Sequence, residues 1–298
     1  MISHGKTIQQ KTGKTYYSAT IFFPQRVKQA TFDVYGFVRT ADDFVDTPRK
    51  RSSHEQRSAV EDYRRRAIAA IRDPASETDP VLLAFARVVR EYRIPELEVH
   101  AFLDAMAADA YKKNYKDLHE LQHYMRGSAV AVGNMMLAII GFSGERETVR
   151  KQARSLSEAF QMTNFLRDIA EDYHDLGRMY LPQTVLHKHG VAEDDVKHRR
   201  LTSGLRKAIH ELTVWTRNEY HAGVAGIKHL AKDSRFAVLV ASVLYLRVLE
   251  KIEHHSFNPF GKRARVSSFE KAYLIARTWV RYHVFKQSEL RVCRLVHR

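Results

Sequence analysis

Residues 39–46, RTADDFVD, and 161–172, QMTNFLRDIAED, place acidic and amide side chains one helical turn apart in segments that otherwise have the apolar spacing of core-facing helices. Asp42 and Asp46 are four residues apart, with Arg39 three residues earlier and Tyr35 one turn before that. Asp168 and Asp172 repeat the spacing, with Gln161 and Asn164 leading in and Arg167 alongside. At 3.6 residues per turn, each set occupies one helix face. Like charges at i,i+4 destabilise a helix by about 0.2–0.5 kcal/mol, and burying them without partners costs far more. The chain must therefore turn these faces to solvent, where they make incidental salt bridges, or gather them around a shared polar site. With 16 Asp in the chain, about one such pair is expected by accident, so the second pair makes the pattern informative.

The surrounding sequence reads as helix throughout. Apolar residues recur at helical spacing from Tyr16 to Val45 (Ile21, Val27, Ala30, Val34, Phe37, Val38), with Pro24 at a boundary. The polar break 46–56 carries Ser53 and Gln56 as a capping box for the next helix. A second loop spans 72–80, and Pro95 opens a helix over IPELEVHAFLDAMAADA. Further helices are predicted over about 116–140, 145–175, 202–230, 234–255 and 267–288. Gly177 and Pro182 end the second of these, and Ser267 with Glu270 caps the last. No sustained period-2 segment, internal repeat or low-complexity tract interrupts the pattern. With only 13 Gly and 7 Pro in 298 residues, the expected fold class is all-α, in one domain over 1–298.

Composition narrows the partners. Lys and Arg exceed Asp and Glu by 15, and the pI is about 9.8. That balance suits nucleic acid, anionic lipid or a phosphorylated substrate. From Lys262 to Arg298 only Glu270 and Glu289 oppose the basic residues. The single Cys293 permits no internal disulfide and no cysteine zinc site, and it is read as an inert thiol in a reducing compartment. The start, MISHGKTIQQ, has no apolar signal region, so a cytoplasmic location is expected. Residues 127–144 run for 18 positions without a charge, near the lower limit for a bilayer span. Four Gly, two Ser and an Asn within them favour a buried helix with close packing. His187 and His189 flank Lys188 in an expected loop, and no histidines have metal-ligand spacing. Trp215 and Trp279 are expected in the core or an interface.

A divalent cation reverses the sign of the aspartate repulsion. Two facing Asp pairs offer hard oxygen ligands suited to Mg²⁺ that keeps some waters and bridges to a diphosphate. Arg39 and Arg167 are placed to hold phosphate oxygens directly.

The sequence resembles the squalene/phytoene synthase family of head-to-head prenyl transferases, in five ordered blocks. YYSATIFFPQRVKQATFDVYGFVRTADDFVD (16–46) resembles the first aspartate-rich block, and QMTNFLRDIAEDYHDLGRMYLPQ (161–183) the second signature. YMRGSAVAVG (124–133) is similar to the central block. VLYLRVLEKIE (243–253) and NPFGKRARVS (258–267) are similar to the C-terminal ones. The resemblance implies the isoprenoid synthase fold, a helical barrel around a deep cavity. It implies that Asp42, Asp46, Asp168 and Asp172 bind Mg²⁺–diphosphate, with Asn164 as a further metal ligand and Mn²⁺ as the substitute ion. Arg39, Gln161, Asn164 and Arg167 match positions near the diphosphates. Tyr245 matches a cavity tyrosine, and Arg263 a diphosphate-facing arginine with Lys262 and Arg265 close by. In two places the chain departs from the pattern. Gly127 stands where many relatives have tyrosine, leaving Tyr124 as a weak substitute. Thr12-Gly13 stands where some have a His–Ser pair, with Thr15 as a hydroxyl replacement.

The implied reaction joins two allylic prenyl diphosphates in a dry cavity walled by helices such as 127–144 and 236–246. Tyr35, Phe37 and Tyr245 present ring faces to the allylic cation. Phe22, Phe37 and Ala41 are expected to set chain length. Geranylgeranyl diphosphate would give phytoene. Farnesyl diphosphate would give dehydrosqualene, or squalene if NADPH supplies hydride. The lack of a C-terminal membrane anchor, seen in many squalene synthases, favours the reductant-free products. A product this apolar has to leave into lipid, so peripheral contact of the basic surface with an anionic membrane is expected. Two other classes compete. A non-catalytic scaffold relative would have lost aspartates, and all four are present. A nucleic-acid binder rests on net charge alone, so no specific nucleic acid is expected. Nothing in the sequence sets the oligomeric state.

Overall fold

The computed structural model of the protein describes residues 4–12, 14–46 and 52–294. Fifteen helices carry the described chain, and no β-strand occurs among the described residues. They are α1 (His4–Thr12), α2 (Lys14–Thr20), α3 (Gln25–Val45), α4 (Ser53–Arg72), α5 (Pro80–Glu91), α6 (Glu96–Asp109), α7 (Leu118–Met125) and α8 (Ala131–Ile140). After these come α9 (Arg146–Leu176), α10 (Gln183–Lys188), α11 (Glu193–Lys197), α12 (Ser203–Val224), α13 (Arg235–His254), α14 (Ser268–Trp279) and α15 (Glu289–Arg294).

Local chemistry explains where these helices start and stop. The expected helical segment from Tyr16 is two helices, because Pro24 begins a new one after a turn at 21–23. The capping box of α4 lies one residue earlier than its spacing suggested. Ser52 rather than Ser53 accepts from the Glu55 amide, and Glu55 Oε2 accepts from the Ser52 amide at 2.7 Å. Two overlapping motifs compete in SSHEQ, and an ionised carboxylate is favoured over an amide at the positive end of a helix. Ser267 and Glu270 form the expected box on α14. At the other end of α9, Gly177 adopts φ 65°, so the chain reverses and the Arg178 amide donates to the Asp172 carbonyl at 2.9 Å. Left-handed backbone of this kind favours glycine. His187 belongs to the short α10 rather than to a loop.

The uncharged stretch 127–144 is not a membrane span, and no described helix is long and apolar enough to cross one. It is divided into a π-helical turn (Arg126–Val130), α8, and a break at Gly141 with φ 81°. In the π-turn the Ala131 amide donates to the Arg126 carbonyl five residues back. Gly127 is buried here against α6. A Cβ on it would lie 2.3 Å from the Ala101 carbonyl oxygen and 2.7 Å from Ala105 Cβ. A tyrosine at position 127 therefore has no room on this backbone.

Packing wraps these helices around an interior space. α9 lies against α12 and α13, α3 against α1 and α5, and α8 against α6 and α9. Phe37 is fully buried between helices, stacked on Phe85 at 3.7 Å and on Tyr63 at 5.2 Å. It belongs to the core and not to the cavity wall, contrary to the role expected for it. Gly127→Ala should destabilise the protein by about 1–3 kcal/mol through overpacking against α6. Thermal melting of the variant checks this, and an unchanged midpoint would show that α6 yields without strain.

Candidate active site

α3, α6, α9 and α13, with the turn and helix at 124–140, enclose a cavity of about 840 Å³. This lies within the range of small-molecule sites. The candidate metal, diphosphate and catalytic residues all line it: Thr15, Arg39, Asp42, Asp46, Gln161, Asn164, Arg167, Asp168, Asp172, Tyr245 and Arg263. Gly13 and the Thr12 side chain lie outside the described residues. The period of α9 explains the arrangement. Met162, Leu166 and Ile169 are buried in the core, and Gln161, Asn164, Asp168 and Asp172 face inward to the space between helices.

The two aspartate faces meet across the cavity. Burial and the neighbouring Asp46 carboxylate push Asp42 well above the usual carboxylate range. Asp172 is raised by burial, by Asp168, and by Asp46 on the opposing helix. Guanidinium groups offset part of this repulsion. Arg167 donates to Asp168 through Nε at 2.8 Å and Nη2 at 2.5 Å, and Arg263 reaches the same carboxylate at 2.6 Å. Arg263 also pairs with Glu171 at 3.0 Å. Arg39 is held mainly by Asp43 at 2.5 Å, with Asp42 and Asp46 at 4.0 and 3.9 Å. Hard oxygen donors in this number suit a divalent cation. Among the described residues, however, no three acidic, histidine or cysteine side chains already converge as a metal cage.

Much of the remaining wall is apolar and aromatic. Tyr16 and Tyr35 stack at 6.5 Å, and Phe160 and Tyr245 at 4.6 Å, and all four line the cavity. Tyr16 and Phe160 supply the ring faces expected from Phe37. Neither Phe22 nor Ala41 lines the cavity: Phe22 packs edge-on against Phe236, and Ala41 is core. Phe23, Met136, Leu137 and Ile140 shape the apolar interior instead, while Met135 is buried outside it. Trp215 packs against the core, but Trp279 is half exposed. Cys293 is buried and its thiol is pushed up to about 12, as an inert thiol requires.

Sequence reasoning missed a second polar cluster. Asp109, at the end of α6, lines the cavity and is 3% exposed. Its carboxylate accepts from the Tyr124 hydroxyl at 2.7 Å and the Tyr180 hydroxyl at 3.3 Å. Arg178 donates to Tyr180 at 3.4 Å, to Asp46 at 3.1 Å and to the Val45 carbonyl at 2.8 Å. A chain of hydrogen bonds thus runs from the first aspartate pair to Tyr124. Arg178 and Tyr180 sit inside the quoted GRMYLP stretch. Asp109 is signalled only by being an acid in an apolar run.

Two opposed acidic faces and several arginines thus share a cavity with apolar and aromatic side chains inside an all-α barrel. Comparison with known proteins gives the family. The sequence profile of the squalene/phytoene synthase family matches residues 9–270. Phytoene synthase of Thermus thermophilus is 30% identical over 270 residues, covering 89% of this chain and 88% of that one. The chloroplastic phytoene synthase of an Oncidium hybrid cultivar is 30% identical over 268 residues. That match covers 89% of this chain, which spans 64% of the Oncidium protein's length. Among solved structures, a dehydrosqualene synthase in complex with ligand superposes with TM-score 0.83 at 24% identity, over 95% of this chain and 96% of that one. The squalene synthase HpnC of Alicyclobacillus acidocaldarius superposes with TM-score 0.75 at 22% identity, over 86% and 94%. The chain belongs to the squalene/phytoene synthase family, a family of prenyl-transferring enzymes, and has its all-α fold.

The buried cluster gives a pH prediction. Burial raises Asp109 from 3.8 to about 6 despite the nearby Arg178. A carboxyl raised on folding binds protons more tightly in the native state. Its contribution is complete below the unfolded pKa and is lost as pH rises through about 6, a change of up to about 3 kcal/mol. Asp109→Asn cannot ionise, so its urea midpoint should fall less than the wild type's between pH 4 and 6.5. Parallel curves would refute the assignment.

Proposed function

We propose that the protein condenses two geranylgeranyl diphosphates head to head, through a cyclopropylcarbinyl diphosphate, to phytoene. The observation that carries this reading is the meeting of both aspartate faces with Arg39, Arg167 and Arg263 at one end of an apolar, aromatic-lined cavity. The 30% identity to a bacterial phytoene synthase over most of both chains supports the choice of substrate.

Asp42, Asp46, Asp168 and Asp172, with Asn164, would hold Mg²⁺, or Mn²⁺ in its place, which when bound neutralises diphosphate charge and improves the leaving group. Arg167 and Arg263 now occupy Asp168, so an arriving diphosphate competes for guanidinium groups already placed at the site. Arg39 adds a further cation on the facing helix. Gln161 and Thr15 contribute neutral donors at the cavity wall. As the carbon–oxygen bond breaks, its electron pair leaves with the diphosphate, and the allylic cation remains among Tyr16, Tyr35, Phe160 and Tyr245, whose ring faces stabilise it. The apolar wall excludes the water that would quench it. The double bond of the second substrate then attacks, and one proton is lost as the cyclopropane ring closes; a second ionisation releases the other diphosphate, rearrangement follows, and loss of a second proton forms the central double bond. The hydrocarbon must leave into lipid, so the reading includes peripheral contact with an anionic membrane.

The test is a product assay on purified protein with Mg²⁺ and either geranylgeranyl or farnesyl diphosphate, with and without NADPH. A C40 hydrocarbon is expected without NADPH. Asp168→Ala should reduce its rate by at least about 100-fold, as for loss of a charge-stabilising group. A C30 product would move the substrate and keep the chemistry, and dependence on NADPH would mark squalene. No product from folded protein with either substrate would refute catalysis and favour a scaffold role.

A further inference from the structure

Eleven large hydrophobic residues stand exposed among the described residues, and six of them fall within seventeen positions of the C-terminal region: Phe269, Tyr273, Trp279, Val280, Val284 and Phe285. Single exposed apolar residues are ordinary, but a contiguous run of them marks an interaction surface. They lie along α14 and the π-helical turn Val280–Val284 that continues it. The inward side of this helix is already satisfied. Leu274 and Thr278 are buried, and Ile275 and Tyr282 pack on the core. Phe269, Tyr273, Ala276 and Val280 follow i, i+4, i+7, i+11 spacing and form a second apolar stripe on the outward side. Phe269, at 85% exposed, is the most open of the six.

Cations surround this stripe. Lys262 and Arg265 precede it, Arg277 and Arg281 interrupt it, and Lys286 and Arg291 follow it. Of the two acids in the region, Glu270 is taken by Arg247 at 2.6 Å and Lys251 at 2.9 Å, and Glu289 lies near the Tyr282 hydroxyl. Arg281 Nη1 is buried without a hydrogen-bond partner among the described residues. The charge pattern selects the occupant. A second copy meeting this face across a two-fold axis would set the same cations against themselves. An apolar stripe rimmed by cations instead matches an anionic bilayer, with Trp and Tyr at headgroup depth and Phe and Val below.

We propose that the outward stripe of α14 and its π-turn lies in the surface of an anionic membrane, with Phe269, Val284 and Phe285 inserted and the flanking Lys and Arg on the headgroups. Resting on the proposed prenyl condensation, this face also sets the route of the substrates. Arg265, Val266 and Lys271 line the cavity and belong to the same segment, so that side of the cavity is held at the bilayer. Prenyl diphosphates enter from the membrane there, and the hydrocarbon product returns to it.

The experiment is flotation of the full-length protein with vesicles of phosphatidylcholine alone or mixed with phosphatidylglycerol. The wild type should bind the mixed vesicles roughly tenfold more, with the difference shrinking in high salt. Phe269→Ser, Val284→Ser and Phe285→Ser combined should lose most of that binding while keeping detergent-micelle activity. Leu97→Ser, at a 67% exposed site elsewhere, controls for the loss of an exposed apolar residue and should bind normally. Equal flotation of the triple variant and the wild type would overturn the proposal. So would sedimentation showing a wild-type dimer that the triple variant abolishes, because the occupant would then be a second copy. Intact, stripe-dependent flotation without any product in micelles would support the docking face and refute the enzymatic reading, so the two failures are separable.

Discussion

The structure depends on repulsion between carboxylates that the fold forces together. Four aspartates from two helices face one cavity, and burial together with the Asp46 and Asp168 carboxylates holds Asp42 and Asp172 well above the usual carboxylate range. Such an arrangement persists only because guanidinium groups stand among the acids and because the surrounding core is large enough to fix α3 and α9 in place. Arg167 and Arg263 bracket Asp168, and Arg178 braces Asp46. These contacts are charge-neutralising, and Asp42 and Asp172 lie outside the closest of them.

How far this was legible in the sequence differs from residue to residue. The aspartate faces could be read because helical period alone places Asp42 with Asp46 and Asp168 with Asp172. Their meeting could not, since it depends on how α3 and α9 pack. Asp104 and Asp109 show the limit clearly. Both are acids in the same apolar stretch, yet Asp104 faces Arg64 at the surface and Asp109 is sealed beneath Tyr124 and Tyr180. Only the packing of α6 distinguishes them. The same limit explains Phe37, whose spacing suited a cavity wall as well as it suited the aromatic stack it joins. Fold class was within reach because periodicity and the scarcity of breakers are local properties. The break before Pro24 was signalled, but the choice between Ser52 and Ser53 turned on a single carboxylate.

Burial also divides labour between the two polar clusters. The aspartate faces are half-buried and open to the cavity, where charge can be met by a ligand. The Asp109 cluster borders the same cavity but is packed among three aromatic rings, with Tyr115, Tyr124 and Tyr180 stacked or tilted on one another within 6 Å. Its hydrogen bonds from Tyr124 and Tyr180 to Asp109 tie together α6, the 124–130 segment and the passage after α9, while Arg178 Nε and the Tyr115 hydroxyl are buried without a partner among the described residues. Arg178 touches both clusters and couples the position of Asp46 to these tied segments.

The π-helical turn between α7 and α8 adds one residue to what would otherwise be a single continuous helix. An extra residue in a helix is an angular offset of about 100°. The turn therefore sets the rotational phase of α8 independently of α7, so Tyr124 keeps its place over Asp109 while Val132, Gly133 and Met136 line the cavity. Seen as a gear rather than a kink, it lets a one-residue change in this helical segment re-index which side chains of α8 line the cavity without disturbing the acidic faces.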